Sequence, residues 1–142
     1  EMMLPILEPS DYDEALPHAR DLGNAFQLTN FLRDIDEDLD RGRQYVPMVD
    51  TRVFGVELRD REVTDDFVRL MQFEIERCRE LYASAEIGIA MLPEQSAKCV
   101  GAAHTLYGRI LDEIEDQGYD VFSKRASVST LQKARLVASL LR

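Results

Sequence analysis

The sequence is poor in cysteine and lacks any long, uninterrupted apolar run. Its two cysteines, Cys78 and Cys99, do not have the spacing of a metal site, so we expect two buried free thiols and no oxidising compartment. No apolar run approaches the roughly 18 residues that a membrane-spanning helix requires. The first residues also lack the basic and apolar regions of a signal peptide. We therefore expect a cytoplasmic protein without a transmembrane segment.

Basic residues are too few to balance the acidic ones. The chain has 17 Lys and Arg against 27 Asp and Glu, which gives a formal net charge of -10. Such a charge repels polyanions, so the composition excludes general affinity for nucleic acid or anionic lipid, whereas a local basic site is compatible with it. The 142 residues are 45% hydrophobic, enough for one domain with its own core.

Strand-like alternation of apolar and polar residues is missing, and helical spacing is found instead. We predict four helices, over residues 13–40, 64–92, 94–117 and 129–142. Pro47 and Gly55 predict an irregular segment over residues 43–60. The expected fold class is all-α, a helical bundle that forms a single domain over residues 1–142.

Five acidic residues fall within residues 34–40, near the end of the first predicted long helix. A solvated helix face explains most charge runs of this kind. Here, however, Asp34 and Asp38 are one turn apart, and like charges at that spacing repel each other by roughly a few tenths of a kcal/mol. The helix dipole also disfavours acids near a carboxyl end. The cluster is easier to explain if a bound cation neutralises it.

Helical geometry divides the polar residues of this segment between two faces. Four of them share an arc of about 80°: Gln27, Asn30, Asp34 and Asp38. Beside that arc runs an apolar stripe formed by Leu28, Leu32, Ile35 and Leu39. Asp36 and Asp40 point the other way, towards the expected solvent, and Gly23 on the polar arc leaves room for a ligand. A polar row beside an apolar row is typical of a cavity wall.

Oxygen ligands one helical turn apart are suited to Mg²⁺, which binds one or two carboxylates together with waters and substrate phosphates. Three nearby arginines can supply guanidinium forks for a diphosphate: Arg33, Arg41 and Arg43. A calcium-binding EF-hand loop that starts at Asp34 does not fit, because Leu39 and Tyr45 occupy the positions that require Gly and Glu.

A bare pair of aspartates four residues apart is a weak signal. Asp112 and Asp116 repeat the spacing in the third predicted helix, where Glu113 and Glu115 accompany them, and we expect a solvated face there. The specific signal is the longer string over residues 27–38, followed by residues 41–47.

Neither histidine is predicted to take part in nucleophilic catalysis, because no Ser or Cys lies at a spacing typical of a nucleophile–base pair. His18, beside Pro17, is expected on the surface. His104 is expected to pack within the third helix. Met3 and Met71 are expected in the core.

The string over residues 27–38 and 41–47 resembles the second aspartate-rich motif of the squalene/phytoene synthase family. Further downstream, residues 107–115 and 118–122 resemble the carboxyl-terminal part of bacterial phytoene synthases. The resemblance implies an isoprenoid-synthase-type helical bundle, represented here by about its carboxyl-terminal half. No counterpart of the family's first aspartate-rich motif precedes Gly23, so we expect the upstream half to be absent.

The resemblance also implies roles for individual residues. The implied ligands of Mg²⁺, for which Mn²⁺ is a substitute, are Asn30, Asp34 and Asp38, with Glu37 as a weaker candidate. The implied diphosphate contacts are Arg33, Arg43 and Arg125. Residues implied at the reacting end of the pocket are Gln27, Tyr45 and Tyr107. The residues counted as catalytic are Asp34, Asp38, Tyr45 and Tyr107, and the apolar cavity is expected to be lined by Phe26, Phe31 and Ile110. Arg33 lies about 100° from Asp34 around the helix, so its side chain must curl round to take part.

The implied reaction is the head-to-head condensation of two geranylgeranyl diphosphates to phytoene, through a cyclopropyl diphosphate intermediate, in carotenoid biosynthesis. A squalene-type synthase that uses farnesyl diphosphate, or a non-catalytic helical interaction module of the same fold, remains an alternative. Because only one carboxylate wall is present, we expect this polypeptide to be inactive alone and to self-associate through exposed apolar surface. The implied substrate, a prenyl diphosphate, is hydrophobic, which is compatible with peripheral membrane contact of the protein.

Overall fold

Helices make up the structure of the chain over residues 3–140, the part that the computed structural model describes, and no strand occurs within it. In chain order they are α1 (Leu4–Leu7), α2 (Tyr12–Arg33), α3 (Ile35–Asp40), α4 (Met48–Phe54), α5 (Asp65–Ala90), α6 (Glu94–Asp116) and α7 (Thr130–Leu140), with a 3₁₀ turn at Leu58–Asp60 before α5. The all-α prediction is confirmed. None of these described helices is both long and apolar enough to cross a membrane.

The core forms where α5 packs against α2 and α6. On α5 the buried side chains recur at helical spacing, from Phe67 through Met71 and Ile75 to Cys78. The Thr64 side chain accepts a hydrogen bond from the backbone N–H of Phe67, which caps the start of this helix. Burying one apolar face of each long helix therefore brings α2, α5 and α6 together.

The first predicted long helix is divided at Asp34, whose backbone (φ -105°, ψ 18°) leaves the helical region between α2 and α3. The backbone N–H of Asp34 still donates to the carbonyl of Asn30 at 2.9 Å, and that of Asp38 donates to the carbonyl of Asp34 at 2.9 Å. These bonds carry the helical connection across the break, so Asn30, Asp34 and Asp38 keep one stripe. The neighbouring apolar stripe is confirmed by the burial of Leu32 and Ile35.

The segment expected to be irregular contains α4 and the 3₁₀ turn, so that prediction was wrong in part. Pro47 (φ -57°, ψ 132°) starts α4, and Gly55 ends it in the left-handed region (φ 70°). The two breakers thus mark the ends of a short helix. Phe54 then packs on Phe73 of α5, with ring centroids 5.6 Å apart, which attaches α4 to the core.

Two side chains, Cys99 and Met3, are more exposed than the sequence predicted. Cys78 is buried, as expected, and burial raises the pKa of its thiol. Cys99 is exposed and lines the apolar cavity between α1, α2, α5 and α6. Met3 is 60% exposed, whereas Met71 is fully buried.

Candidate active site

Two guanidinium groups hold the carboxylate of Asp34. Arg33 donates from Nε to Oδ1 at 2.8 Å and from its terminal nitrogen to Oδ2 at 2.7 Å. Arg125, 91 residues further along the chain, donates from Nε to Oδ1 at 2.8 Å and from its terminal nitrogen to Oδ2 at 3.3 Å. Arg33 therefore does curl round its helix, and Asp34 is the point at which α2 and the 118–129 loop meet.

This arrangement keeps Asp34 charged. Burial acts to raise the pKa of its carboxyl, but the hydrogen bonds and charges of Arg33 and Arg125 outweigh burial and leave the pKa below its ordinary value. The hydrogen bond to Asp34 in turn raises the pKa of Arg33. A carboxylate held ionised and only 18% exposed is a strong anchor for cations.

Asp38, one turn beyond, has far less cationic compensation. Its side chain is 13% exposed, and the guanidinium of Arg41 lies 3.9 Å from its Oδ1. Glu37 lies at the edge of the same cluster, with Arg125 at 3.4 Å and Arg41 at 3.6 Å. Negative charge therefore remains on the Asp38 side of the stripe.

Asn30 supplies an oxygen that the protein leaves without a partner. Its Oδ1 is buried and accepts no hydrogen bond from the described residues. An unpaired buried oxygen of this kind costs roughly 1–3 kcal/mol, which a bound cation would offset. No group of three or more His, Cys, Asp or Glu side chains suited to a metal occurs among those residues.

The aromatic candidates lie on opposite sides of α2. Tyr45 is 42% exposed and stacks on Phe31, with ring centroids 4.2 Å apart and planes 6° apart. Tyr107 is half-buried against Phe26, with centroids 4.5 Å apart. Gln27 is exposed.

An apolar cavity of about 420 Å³ extends along the amino-terminal part of α2, between that helix, α1, α5 and α6. Leu22, Gly23 and Phe26 line it, and a Cβ on Gly23 would meet nothing within 4 Å, which agrees with the room expected there. Of the three expected lining residues only Phe26 is in its wall. Phe31 instead stacks on Tyr45, and Ile110 is buried in the core.

His18 belongs to this cavity wall, so its predicted surface position was wrong. It is half-buried, and its Nδ1 lies 2.9 Å from Ser84 Oγ, which donates to Asp21 Oδ2 at 2.5 Å. A Cβ on Gly88 would lie only 2.5 Å from the His18 Cβ, so glycine at 88 permits α2 and α5 to approach closely. His104, by contrast, packs edge-on against Tyr82, as expected.

Other acidic residues behave differently from the stripe. Asp112 is 60% exposed and pairs with Arg79, which confirms the solvated face predicted for α6. Asp36 and Asp40 both accept hydrogen bonds from Arg61, a partner that the sequence did not reveal.

A buried acid was also missed. Glu74 is fully buried on α5, and neither of its carboxyl oxygens has a hydrogen-bond partner among the described residues. The position of Glu74 could have predicted its burial, because Glu74 lies four residues from both Leu70 and Cys78 and so continues their apolar row.

Comparison with known proteins agrees with the family that the sequence motifs resemble. A family model described as squalene/phytoene synthase matches residues 1–132. The chain belongs to the squalene/phytoene synthase family. Among curated squalene/phytoene synthase relatives, the phytoene synthase of Arthrospira platensis is 40% identical, with 93% of this chain and 48% of the relative covered. The 15-cis-phytoene synthase of Synechococcus elongatus is 43% identical, with 91% and 42% covered.

Two solved structures of related synthases show the same fold. A dehydrosqualene synthase matches with a TM-score of 0.88 at 28% identity, over 99% of this chain and 50% of that one. The squalene synthase HpnC of Alicyclobacillus acidocaldarius matches with a TM-score of 0.72 at 32% identity, over 76% and 42%. The isoprenoid-synthase-type fold is confirmed. The chain spans about half the length of these relatives or less, and its place as the carboxyl-terminal half stays a prediction.

Proposed function

We propose that the protein acts as a prenyltransferase of the phytoene synthase type in carotenoid biosynthesis. It would join two geranylgeranyl diphosphates head to head, through a cyclopropyl diphosphate intermediate. The observation that carries the proposal is the arrangement along α2, where an apolar cavity ending at Phe26 is followed one turn later by the Asn30–Asp34–Asp38 stripe. Such a surface matches a molecule with a hydrocarbon tail and an anionic head. The curated relatives named phytoene synthase support it.

The residues of the stripe fit Mg²⁺, for which Mn²⁺ is a substitute. Asn30 offers an unpaired buried oxygen and Asp38 a carboxylate, and Asp34 would add a second carboxylate when Arg33 and Arg125 turn from it towards the diphosphate. Such a set leaves room for water and diphosphate oxygens as further ligands. When bound, the metal ion supplies Lewis-acid stabilisation of the departing diphosphate.

The arginines would receive negative charge as the bond to the diphosphate breaks. Arg33 and Arg125 already converge on Asp34 and can share their forks with an anion beside it, while Arg43 lies at the far edge of the stripe. Phe26 and the apolar wall would keep water away from the allylic cation that forms. Gln27, Tyr45 and Tyr107 would flank the reacting end.

The reaction can be tested on the complete gene product with geranylgeranyl diphosphate and Mg²⁺. Phytoene is the expected product, and Asp34→Asn should abolish its formation while Asp112→Asn should not. We also expect the 142-residue polypeptide by itself to be inactive and to self-associate, because one carboxylate wall cannot enclose the substrate. Turnover by a monomer of that polypeptide would contradict this part of the proposal.

A squalene-type synthase is the second candidate, because both solved relatives carry squalene-type names. Supplying farnesyl diphosphate with and without a reduced nicotinamide separates the candidates. Squalene forms only when the hydride is supplied, dehydrosqualene forms from farnesyl diphosphate without it, and phytoene requires geranylgeranyl diphosphate. A non-catalytic module of the same fold would give no product from either substrate and no stabilisation by Mg²⁺ and diphosphate.

A further inference from the structure

A second, cationic cavity of about 200 Å³ lies beyond the carboxyl end of α3. It is an open surface hollow, bordered by Leu39, Gly42, Arg43, Gln44, Arg59 and Arg61, and its three arginines are exposed. Three guanidinium groups thus border one hollow in a chain whose formal net charge is -10. Because acidic residues predominate elsewhere, a local concentration of arginine of this kind is the type of exception that marks an anion site.

The uncompensated positive charge around this cavity is carried by Arg43 and Arg59, not by Arg61. Among the described residues, neither Arg43 nor Arg59 forms a salt bridge through its guanidinium. Arg61 is held by Asp36 at 2.6 Å and by Asp40, neither of which lines the cavity. A guanidinium has five N–H donors, so Arg61 keeps donors for a further acceptor while its two carboxylates fix its position.

The cavity is distinct from the Asn30–Asp34–Asp38 stripe. Arg61 binds Asp36 and Asp40, which project from the face of α3 roughly opposite Asp38. The two places nevertheless adjoin, because Leu39, Arg43 and Gln44 also line a narrow cleft that contains Asp38. Arg43 therefore stands between them.

We propose that the cavity bounded by Arg43, Arg59 and Arg61 is a second anion site that takes a phosphate-type oxyanion, with inorganic diphosphate as its ligand. Several guanidinium forks around one hollow suit a tetrahedral oxyanion, which accepts bidentate, charge-assisted hydrogen bonds. The choice of diphosphate rests on the proposed function, since that reaction releases diphosphate on the other side of Arg43. Binding of the anion itself does not depend on catalysis.

The test is calorimetric titration of the chain with inorganic diphosphate at low ionic strength, with EDTA present to remove divalent metal. Arg59→Gln should weaken binding by about tenfold or more, because it removes charge-assisted hydrogen bonds. Arg59→Lys should restore part of the affinity. Arg52→Gln is the matched control, since Arg52 is an exposed arginine of α4 outside the cavity.

A fourth variant, Arg125→Gln, tests where the anion binds. The second site does not exist if, in the presence of EDTA, the Arg59→Gln variant binds diphosphate as tightly as the unmodified chain. It also does not exist if Arg125→Gln, and not Arg59→Gln, weakens that binding. Circular dichroism checks that each variant is folded, and Arg59→Glu provides a stronger repulsive version of the same test. In the complete gene product, adding Mg²⁺ should create a further binding event at the stripe. Its failure alone would count against the proposed function and not against this site.

Discussion

The two ends of α2 lie in the same bundle but present different chemistry. Towards its amino end, Leu22 and Phe26 line an apolar cavity, and His18 is held there by Ser84. Towards its carboxyl end, Asn30 presents an unpaired oxygen, and Asp34 is fixed between two arginines. One helix thus changes from an apolar to an ionic wall within a few turns.

The two ends differ in whether their partly buried polar groups find hydrogen-bond partners within the protein. His18 and Ser84 satisfy each other, so the amino end is complete within the described protein. Asn30 has an unpaired oxygen and Asp38 only a distant cation, so the carboxyl end has the unmet polar groups that the proposed metal ion would satisfy. Four predictions test this contrast, from the largest expected effect to the smallest.

Removing the ionic end should have the largest effect. In the complete gene product, Asp34→Ala with Asp38→Ala should weaken Mg²⁺-dependent diphosphate binding by at least about a hundredfold, since even outer partners of a metal site cost up to that much. The thermal stabilisation by Mg²⁺ and diphosphate should then disappear from a melting curve. The control is Asp112→Ala with Asp116→Ala, the same spacing on the solvated face of α6. Equal loss in both double variants would remove the contrast.

At the apolar end, the close approach of the helices can be broken without touching the stripe. Gly88→Ala should cost about 1–3 kcal/mol of unfolding free energy in urea, because its Cβ would collide with the His18 Cβ. Gly108→Ala is the matched control, since nothing lies within 4 Å of its Cβ, and it should stabilise α6 by about 0.5–1 kcal/mol. An unchanged midpoint for Gly88→Ala would show that α2 and α5 can separate freely.

Glu74 on α5 is a buried acid for which a proton, in place of a cation, provides the neutralisation. Burial, followed by the neighbouring Asp50 carboxyl, raises the pKa of Glu74 to about 7 against the opposing charge of Arg77. An unfolded Glu has a pKa of about 4.3, so the contribution of Glu74 to stability should be largest below that pH and should fall as pH rises to about 7, by at most about 1.4 kcal/mol per pH unit. Glu74→Gln should flatten this fall in urea unfolding at pH 5 and pH 8.

The control for this effect is Glu76→Gln, an exposed acid on the same helix. It should leave the pH dependence of unfolding as it is. A Glu74→Gln variant whose stability still fell between pH 5 and pH 8 would show that another group takes up the proton.

The smallest effect is expected from filling the cavity. Ala19→Leu adds a side chain to its wall and should weaken binding of a long prenyl diphosphate by about 0.8 kcal/mol for each methylene displaced. Binding of inorganic diphosphate should not change, because the stripe is untouched. Ala83→Leu, on the exposed side of α5, is the control. Parallel loss of both ligands from Ala19→Leu would mean that the two ends are not independent.

Most of the helices and the polar stripe were predictable, because helical spacing is local. The stripe survives the break at Asp34, since backbone hydrogen bonds still link Asn30, Asp34 and Asp38. Arg125 entered only through the family resemblance, and its contact with Asp34 joins residues 91 positions apart. Nothing in the local pattern revealed α4, because Pro47 and Gly55 are signals for both loops and helix ends.

The sequence by itself determined the helical class, the apolar faces of α5 and α6, and the row of oxygens along α2, because a helical repeat places side chains by their spacing alone. Only the tertiary structure decided that Arg61 would bind Asp36 and Asp40, that His18 would enter a cavity wall, and that three arginines would border one hollow. These depend on how distant segments pack, and packing follows the shape of whole helices rather than any local period.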